Sequence, residues 1–155
     1  MIYLVRHGAA ESRKAWGGDD SLRPLTKKGR RQATGLVLLL DRAPFGRVLS
    51  SPSLRCIQTV EPLAEAYGVD VEIAPELLEG APAAAAVEIV RRQARRSGPT
   101  VLCSHGDVIA GVLGGLRTRG LHLVGSQRWA KASTWAIAGD GDRFDEARYL
   151  PPPDV

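Results

Sequence analysis

The apolar positions of this chain switch repeatedly between two spacings. Ile2-Tyr3-Leu4-Val5 is a short, unbroken apolar run rich in β-forming residues, and Gly8 ends it. Arg47 to Ser51, Val69 to Ile73 and Val101 to Ser104 have the same form, each followed closely by a proline or glycine. Between these runs the spacing becomes helical. Ala33, Leu36, Val37 and Leu40 predict a helix over about 26–41 with Thr26 as its N-cap. Cys56, Val60, Leu63, Ala64 and Tyr67 predict a second, capped by Ser53 and kinked or broken near Glu61. The break is expected because Pro62 removes a helix hydrogen bond at a cost of roughly 3 kcal/mol. An alanine-rich helix is expected over 83–96. A fourth, opened by Gly106 and Asp107, carries Val108, Ile109, Val112, Leu113 and Leu116, and its glycines at 111, 114 and 115 weaken it but allow close packing.

Residues 9–25 and 117–132 lack periodicity and are expected to be loops, and Pro44 and Gly46 to end the first helical connection. Ser133 to Ala138 and Arg143 to Leu150 predict a hairpin turning at Gly139-Asp140-Gly141-Asp142. Strands alternating with helices imply an α/β protein. The expected architecture is a three-layer α/β/α sandwich, with a mostly parallel central sheet and an antiparallel C-terminal edge, in a single domain over 1–155.

Composition narrows the partners. The 155 residues suffice for one real core, and 44% apolar with 25% charged residues is ordinary for a globular protein. The net charge of +4 owes much to Arg91-Arg92-Gln93-Ala94-Arg95-Arg96, which on a helix is a solvated face. Only 5% of residues are aromatic and they do not alternate with the arginines, so no nucleic-acid partner is expected. Cys56 and Cys103 sit in apolar stretches and predict buried free thiols. No apolar run reaches spanning length and no charged leader precedes an apolar core. A cytoplasmic monomer without membrane contact or cofactor is the resulting expectation.

The chemistry is expected where the strands stop. Arg6, His7, Arg55 and His105 fall just past the first, second and fourth strands, and in a parallel sheet those ends share one rim. Arginine offers a planar fork of donors that fits phosphate oxygens two at a time, and helices starting near Ser53 and Gly106 add partial positive charge. A neutral imidazole is a competent nucleophile toward phosphorus, so His7 is the candidate nucleophile and His105 an electrostatic partner. His122 has no such context. No ligand set for a catalytic metal and no P-loop are present, and neither cysteine is followed by an arginine six positions on, as a cysteine phosphatase requires.

Arg6-His7-Gly8, Ser51-Pro52-Ser53-Leu54-Arg55-Cys56-Ile57-Gln58-Thr59 and Ser104-His105-Gly106, taken in order, resemble the signature of the histidine phosphatase, or phosphoglycerate mutase-like, superfamily. The resemblance implies that His7 is transiently phosphorylated while Arg6, Arg55 and His105 hold the phosphoryl group, with no metal. Gly8, Asp20, Arg23 and Gly106 are the expected substrate-binding residues. The short chain and Asp20-Ser21-Leu22-Arg23-Pro24-Leu25-Thr26-Lys27-Lys28-Gly29 resemble the SixA-type phosphohistidine phosphatases. The same segment, with Ala132-Ser133-Thr134-Trp135, also resembles the phosphatase domain fused to some MutT-type Nudix hydrolases. Longer insertions typical of the mutases are missing. A phosphorylated protein or small molecule is the implied substrate, with a SixA-like activity as the leading expectation and a non-catalytic phosphate-binding module as the non-enzymatic alternative. Glu79 occupies the place of the proton donor of ester-cleaving members; Asp20 is the other candidate.

Overall fold

The computed structural model describes residues 1–40 and 46–155. In order, its elements are β1 (Ile2–Arg6), α1 (Lys27–Leu40), β2 (Arg47–Ser50), α2 (Leu54–Tyr67), β3 (Val71–Ile73), α3 (Ala83–Ala94), β4 (Thr100–Ser104), α4 (Gly106–Arg117), β5 (His122–Val124), β6 (Thr134–Gly139) and β7 (Phe144–Leu150). The sheet order is β3-β2-β4-β1-β6-β7-β5. β3, β2, β4 and β1 run parallel, β6 lies antiparallel to β1, and β7 antiparallel to β6.

Apolar runs without alternation are what a sheet covered on both faces requires. Along β1, Ile2 and Leu4 enter one core with Leu102, Val108, Val112 and Trp135, beneath α3 and α4. Val5 enters the other with Leu36, Val60, Leu63 and Val101, beneath α1 and α2. The result is the expected α/β/α sandwich. Glycines tighten the pair α3 and α4: a Cβ at Gly115 would press on Val87, and one at Gly111 would lie 3.1 Å from Ala83 Cβ. Among the described residues no helix is long and apolar enough to cross a membrane.

Four expectations need correction. α2 runs unbroken through Pro62, because its apolar stripe of Cys56, Val60, Leu63 and Ala64 is buried along its length and packing outweighs one missing bond. Ser53 sits at the N-cap of α2 but makes no side-chain cap bond; its own N–H donates to Ser51 Oγ. Residues 117–132 contain β5, too short to show a period, which pairs in parallel with β7 and makes the edge strand. The hairpin of β6 and β7 supplies the expected antiparallel C-terminal side of the sheet beyond β1, with β5 as its outermost strand. The helix over 83–96 stops at Ala94. Thr26 caps α1, accepting from Gly29 N–H at 3.1 Å, while Pro44 and the final residue expected for that helix lie outside the described residues.

Candidate active site

β1, β2 and β4 are adjacent and parallel, with Val5 and Ser50 both in register with Cys103. The ladder continues one residue beyond each strand: His7 N–H donates to Ser104 O at 3.1 Å and Ser51 N–H to Cys103 O at 3.0 Å. His7, Ser51 and His105 are thereby fixed side by side on one rim. The His7 and His105 rings lie 5.5 Å apart at 64°.

His7 is buried, and its Nδ1 lies 2.8 Å from Gly8 O. A carbonyl only accepts, so this bond puts the proton on Nδ1 and leaves the lone pair on Nε2. Burial pushes the imidazole pKa down from 6.5 to about 3, against the Gly8 carbonyl and aided by the positive charge of His105, Arg55 and Arg6. The ring is neutral at any ordinary pH, the state a nucleophile needs. Gly8 is committed on both sides, since its N–H donates to Thr59 Oγ1 at 2.9 Å. Thr59 Oγ1 in turn donates to Arg55 O at 2.6 Å, one helical turn back, so α2 itself holds the carbonyl that orients His7.

Arg55 is 1% exposed and gathers the acids. Its Nη2 lies 3.3 Å from Asp20 Oδ2 and 3.3 Å from Glu79 Oε2, and its Nη1 donates to Asp20 O at 3.0 Å. The same Nη2 is 3.5 Å from His105 Nδ1, while His105 Nε2 lies 2.9 Å from Ser51 Oγ. Arg6 donates to Trp129 O at 2.7 Å, and burial lowers its pKa against the opposing pull of Glu79 and Asp107. The Nε atoms of Arg6 and Arg55 are buried without a hydrogen-bond partner, so both arginines keep unsatisfied donors at the site.

These groups frame an open cleft of about 510 Å³, lined by Arg6, His7, Arg23, Glu79, His105 and Gly106 among others. Gly106 opens α4 beside Arg6: a Cβ there would lie 3.2 Å from Arg6 Cζ. Arg23 is buried and holds Asp20 Oδ1 at 3.0 Å and Glu11 O at 2.7 Å. Asp20 touches Arg55 from the side and is not part of the cleft wall. Arg13 and Lys131, which also line the cleft, went unpredicted because both stand in aperiodic loops. Ser51 and Thr59 were legible only as neighbours of Arg55. Cys56 and Cys103 are buried and free, with Cys56 Sγ 3.6 Å from His105 Nε2. Among the described residues no group of three or more His, Cys, Asp or Glu side chains is placed to hold a metal ion.

Two facing histidines with Arg6 and Arg55 beside them on this rim could hold a phosphoryl group. Known proteins are similar to this chain in sequence and fold. The chain is 36% identical over 156 residues to an 8-oxo-(d)GTP phosphatase of Mycolicibacterium smegmatis, covering 99% of this chain and 48% of that relative. It is 42% identical over 80 residues to an adenosylcobalamin/alpha-ribazole phosphatase of Salmonella typhimurium, covering 50% of this chain and 39% of that one. The chain thus spans about half the length of the first of these relatives. Its fold is similar to that of the protein histidine phosphatase SixA complexed with tungstate, with a TM-score of 0.74 at 18% identity over 99% of this chain and 96% of the other. Residues 2–82, which carry His7, Arg55 and Glu79, match the family described as Histidine phosphatase superfamily (branch 1), and the chain belongs to that superfamily.

Proposed function

We propose that the chain is a metal-independent phosphatase that works through a transient phosphohistidine on Nε2 of His7. The observation that carries this is the Nδ1 to Gly8 O contact at 2.8 Å, which leaves Nε2 as the free, neutral nitrogen. Nε2 attacks phosphorus, the N–P bond forms and the P–O bond to the leaving group breaks. Arg6, Arg55, His105 and the N-terminus of α4 oppose the charge that spreads over the phosphoryl oxygens. Glu79, on the cleft wall, gives the departing oxygen its proton. In the second half, Glu79 takes a proton from water as that water attacks phosphorus, and inorganic phosphate leaves His7 free. The arginines already supply the positive charge that a divalent ion supplies elsewhere, so activity is expected to persist in a chelator. Every group named comes from one chain, so a monomer suffices.

The placement of Glu79 favours small alkyl phosphate esters as substrates, since only a poor leaving group needs a positioned acid. The alignment of nearly the whole chain with about half of an 8-oxo-(d)GTP phosphatase supports a small-molecule substrate and adds phosphoanhydrides to that reading. A phosphohistidine protein is the second reading, favoured by the openness of the cleft, which would admit a protein loop. The deciding experiment is trapping with labelled substrate. A label on the wild type that survives base, is lost in acid and is absent from His7→Ala supports the mechanism. A label that persists in acid overturns it.

A further inference from the structure

Of the cations lining the cleft, one is not engaged. Arg13 and Arg23 are paired with Glu79 and Asp20, and Arg6 is bonded to Trp129 O. Lys131 makes no hydrogen bond or ion pair among the described residues. Burial first, then the charges of Arg6, Arg23 and Arg55, lower its pKa. An unpaired ammonium on a cleft wall beside guanidinium groups is stabilised when a bound anion joins it.

The backbone holds it there at a cost. The next residue, Ala132, is the one non-glycine with positive φ among the described residues, at 64°, a left-handed conformation disfavoured for a residue with a Cβ. Its N–H lies 3.1 Å from both Arg6 O and His7 O, and Ser133 O accepts from Arg6 N–H at 3.0 Å. The loop carrying Lys131 is therefore tied to the main chain of the nucleophile itself. Strain retained beside a reacting group indicates a position that matters. Lys131 also walls a second cleft of about 590 Å³ with Ala9, Lys28, Gln32 and Asp154, so it stands between that cleft and the phosphoryl site proposed above.

We propose that Lys131 binds a second anionic group on the leaving-group side of the scissile bond. The site would then prefer phosphoanhydrides, and esters bearing a neighbouring phosphate or carboxylate, over esters with an uncharged leaving group. This rests on the phosphatase reading at His7. A lysine suits the task because its ammonium is a point charge with three rotatable donors on a flexible stem, tolerant of where the second anion falls.

The test compares wild type, Lys131→Met and Lys131→Arg on a nucleoside diphosphate, on 2-phosphoglycolate and on 4-nitrophenyl phosphate. The Met variant should lose selectivity, measured as the ratio of kcat/KM for the doubly anionic substrates to that for 4-nitrophenyl phosphate, by about 10- to 100-fold, chiefly through KM. Arg should restore most of it. The diphosphate and carboxylate arms show which anion is bound. An unchanged ratio, whether from equal losses on all substrates or from none, overturns the proposal. A binding measurement separates this from failure of the phosphatase reading: inorganic pyrophosphate should bind the wild type more tightly than inorganic phosphate does, and Lys131→Met should erase the difference. If no phosphate compound is turned over, the function at His7 falls while the pyrophosphate titration still decides the role of Lys131.

Discussion

Ser51 Oγ lies 2.9 Å from Nε2 of His105, and both residues are buried. Ser51 is placed by the last rung of the β2 to β4 ladder and His105 by the first turn of α4, so two elements meet in one hydrogen bond that fixes the ring facing the phosphoryl site. Ser51→Ala should leave the fold intact and let this ring rotate. We expect kcat to fall by about 10-fold, the equivalent of one neutral hydrogen bond. Steady-state kinetics beside thermal unfolding checks it; wild-type kcat would show that His105 is held by packing alone.

His7 makes stability depend on acid. Its pKa is about 3 when folded and 6.5 when unfolded, so between these values the unfolded chain binds the extra proton. The contribution of neutral His7 is complete above about pH 6.5 and erodes as pH falls toward about 3, by up to roughly 1.4 kcal/mol per pH unit. Chemical denaturation at pH 7, 5 and 4 should show a steeper loss in wild type than in His7→Gln. Parallel slopes would mean that His7 is not buried in its neutral form.

Gly29 sets the depth of the site's rim. A Cβ there would collide with Ala9 O, and Thr26 N–H donates to the same carbonyl at 3.0 Å, so α1 approaches the segment after His7 along this glycine. Gly29→Ala should destabilise the protein by at least about 1–3 kcal/mol, with activity falling in step with the folded fraction. A melting temperature equal to wild type would refute the close approach.

The sequence made the rim legible because the sheet is covered on both faces. Continuous apolar runs mark its strands, and a break after each run marks where chemistry sits, so Arg6, His7, Arg55 and His105 could be placed together before any coordinates. Helix spacing was equally clear for α1 and α4. What stayed hidden depends on contacts between distant residues. β5 is three residues long and gains its place from β7; Pro62 is overruled by the burial of its neighbours; Arg13 and Lys131 reach the cleft from loops whose path no local pattern encodes. Ser51 and Thr59 lie in the same segment as Arg55, but their partners, His105 and Gly8, are 54 and 51 residues away.

Glu79 and Asp20 can be told apart by where they stand. Each places a carboxylate oxygen 3.3 Å from Arg55 Nη2, and Arg13 bridges them, at 3.2 Å from Glu79 and 3.6 Å from Asp20. Only Glu79 lines the cleft. Asp20 is tied to Arg23 at 3.0 Å, and that arginine, first among its neighbours, draws its pKa below the ordinary carboxylate value. On the function proposed above, Glu79 on the cleft wall serves the leaving group and Asp20 positions arginines. Glu79→Gln should therefore lower kcat/KM, which reports only the steps up to leaving-group departure, on alkyl phosphates by about 100- to 10,000-fold, the usual worth of a positioned general acid. On 4-nitrophenyl phosphate, whose leaving group departs without help, the loss should be much smaller, and likewise on a phosphohistidine peptide. Asp20→Asn should instead raise KM on all three alike, because Arg55 and Arg23 lose an anchor whatever the leaving group. The dependence of log kcat/KM on leaving-group pKa measures the difference directly: a slope that steepens in Glu79→Gln and stays parallel to wild type in Asp20→Asn supports the assignment. The reverse pattern would move the proton donor to Asp20, and equal losses in kcat/KM from Glu79→Gln on every substrate would make Glu79 a support for Arg55 and Arg13 with no part in protonating the leaving group.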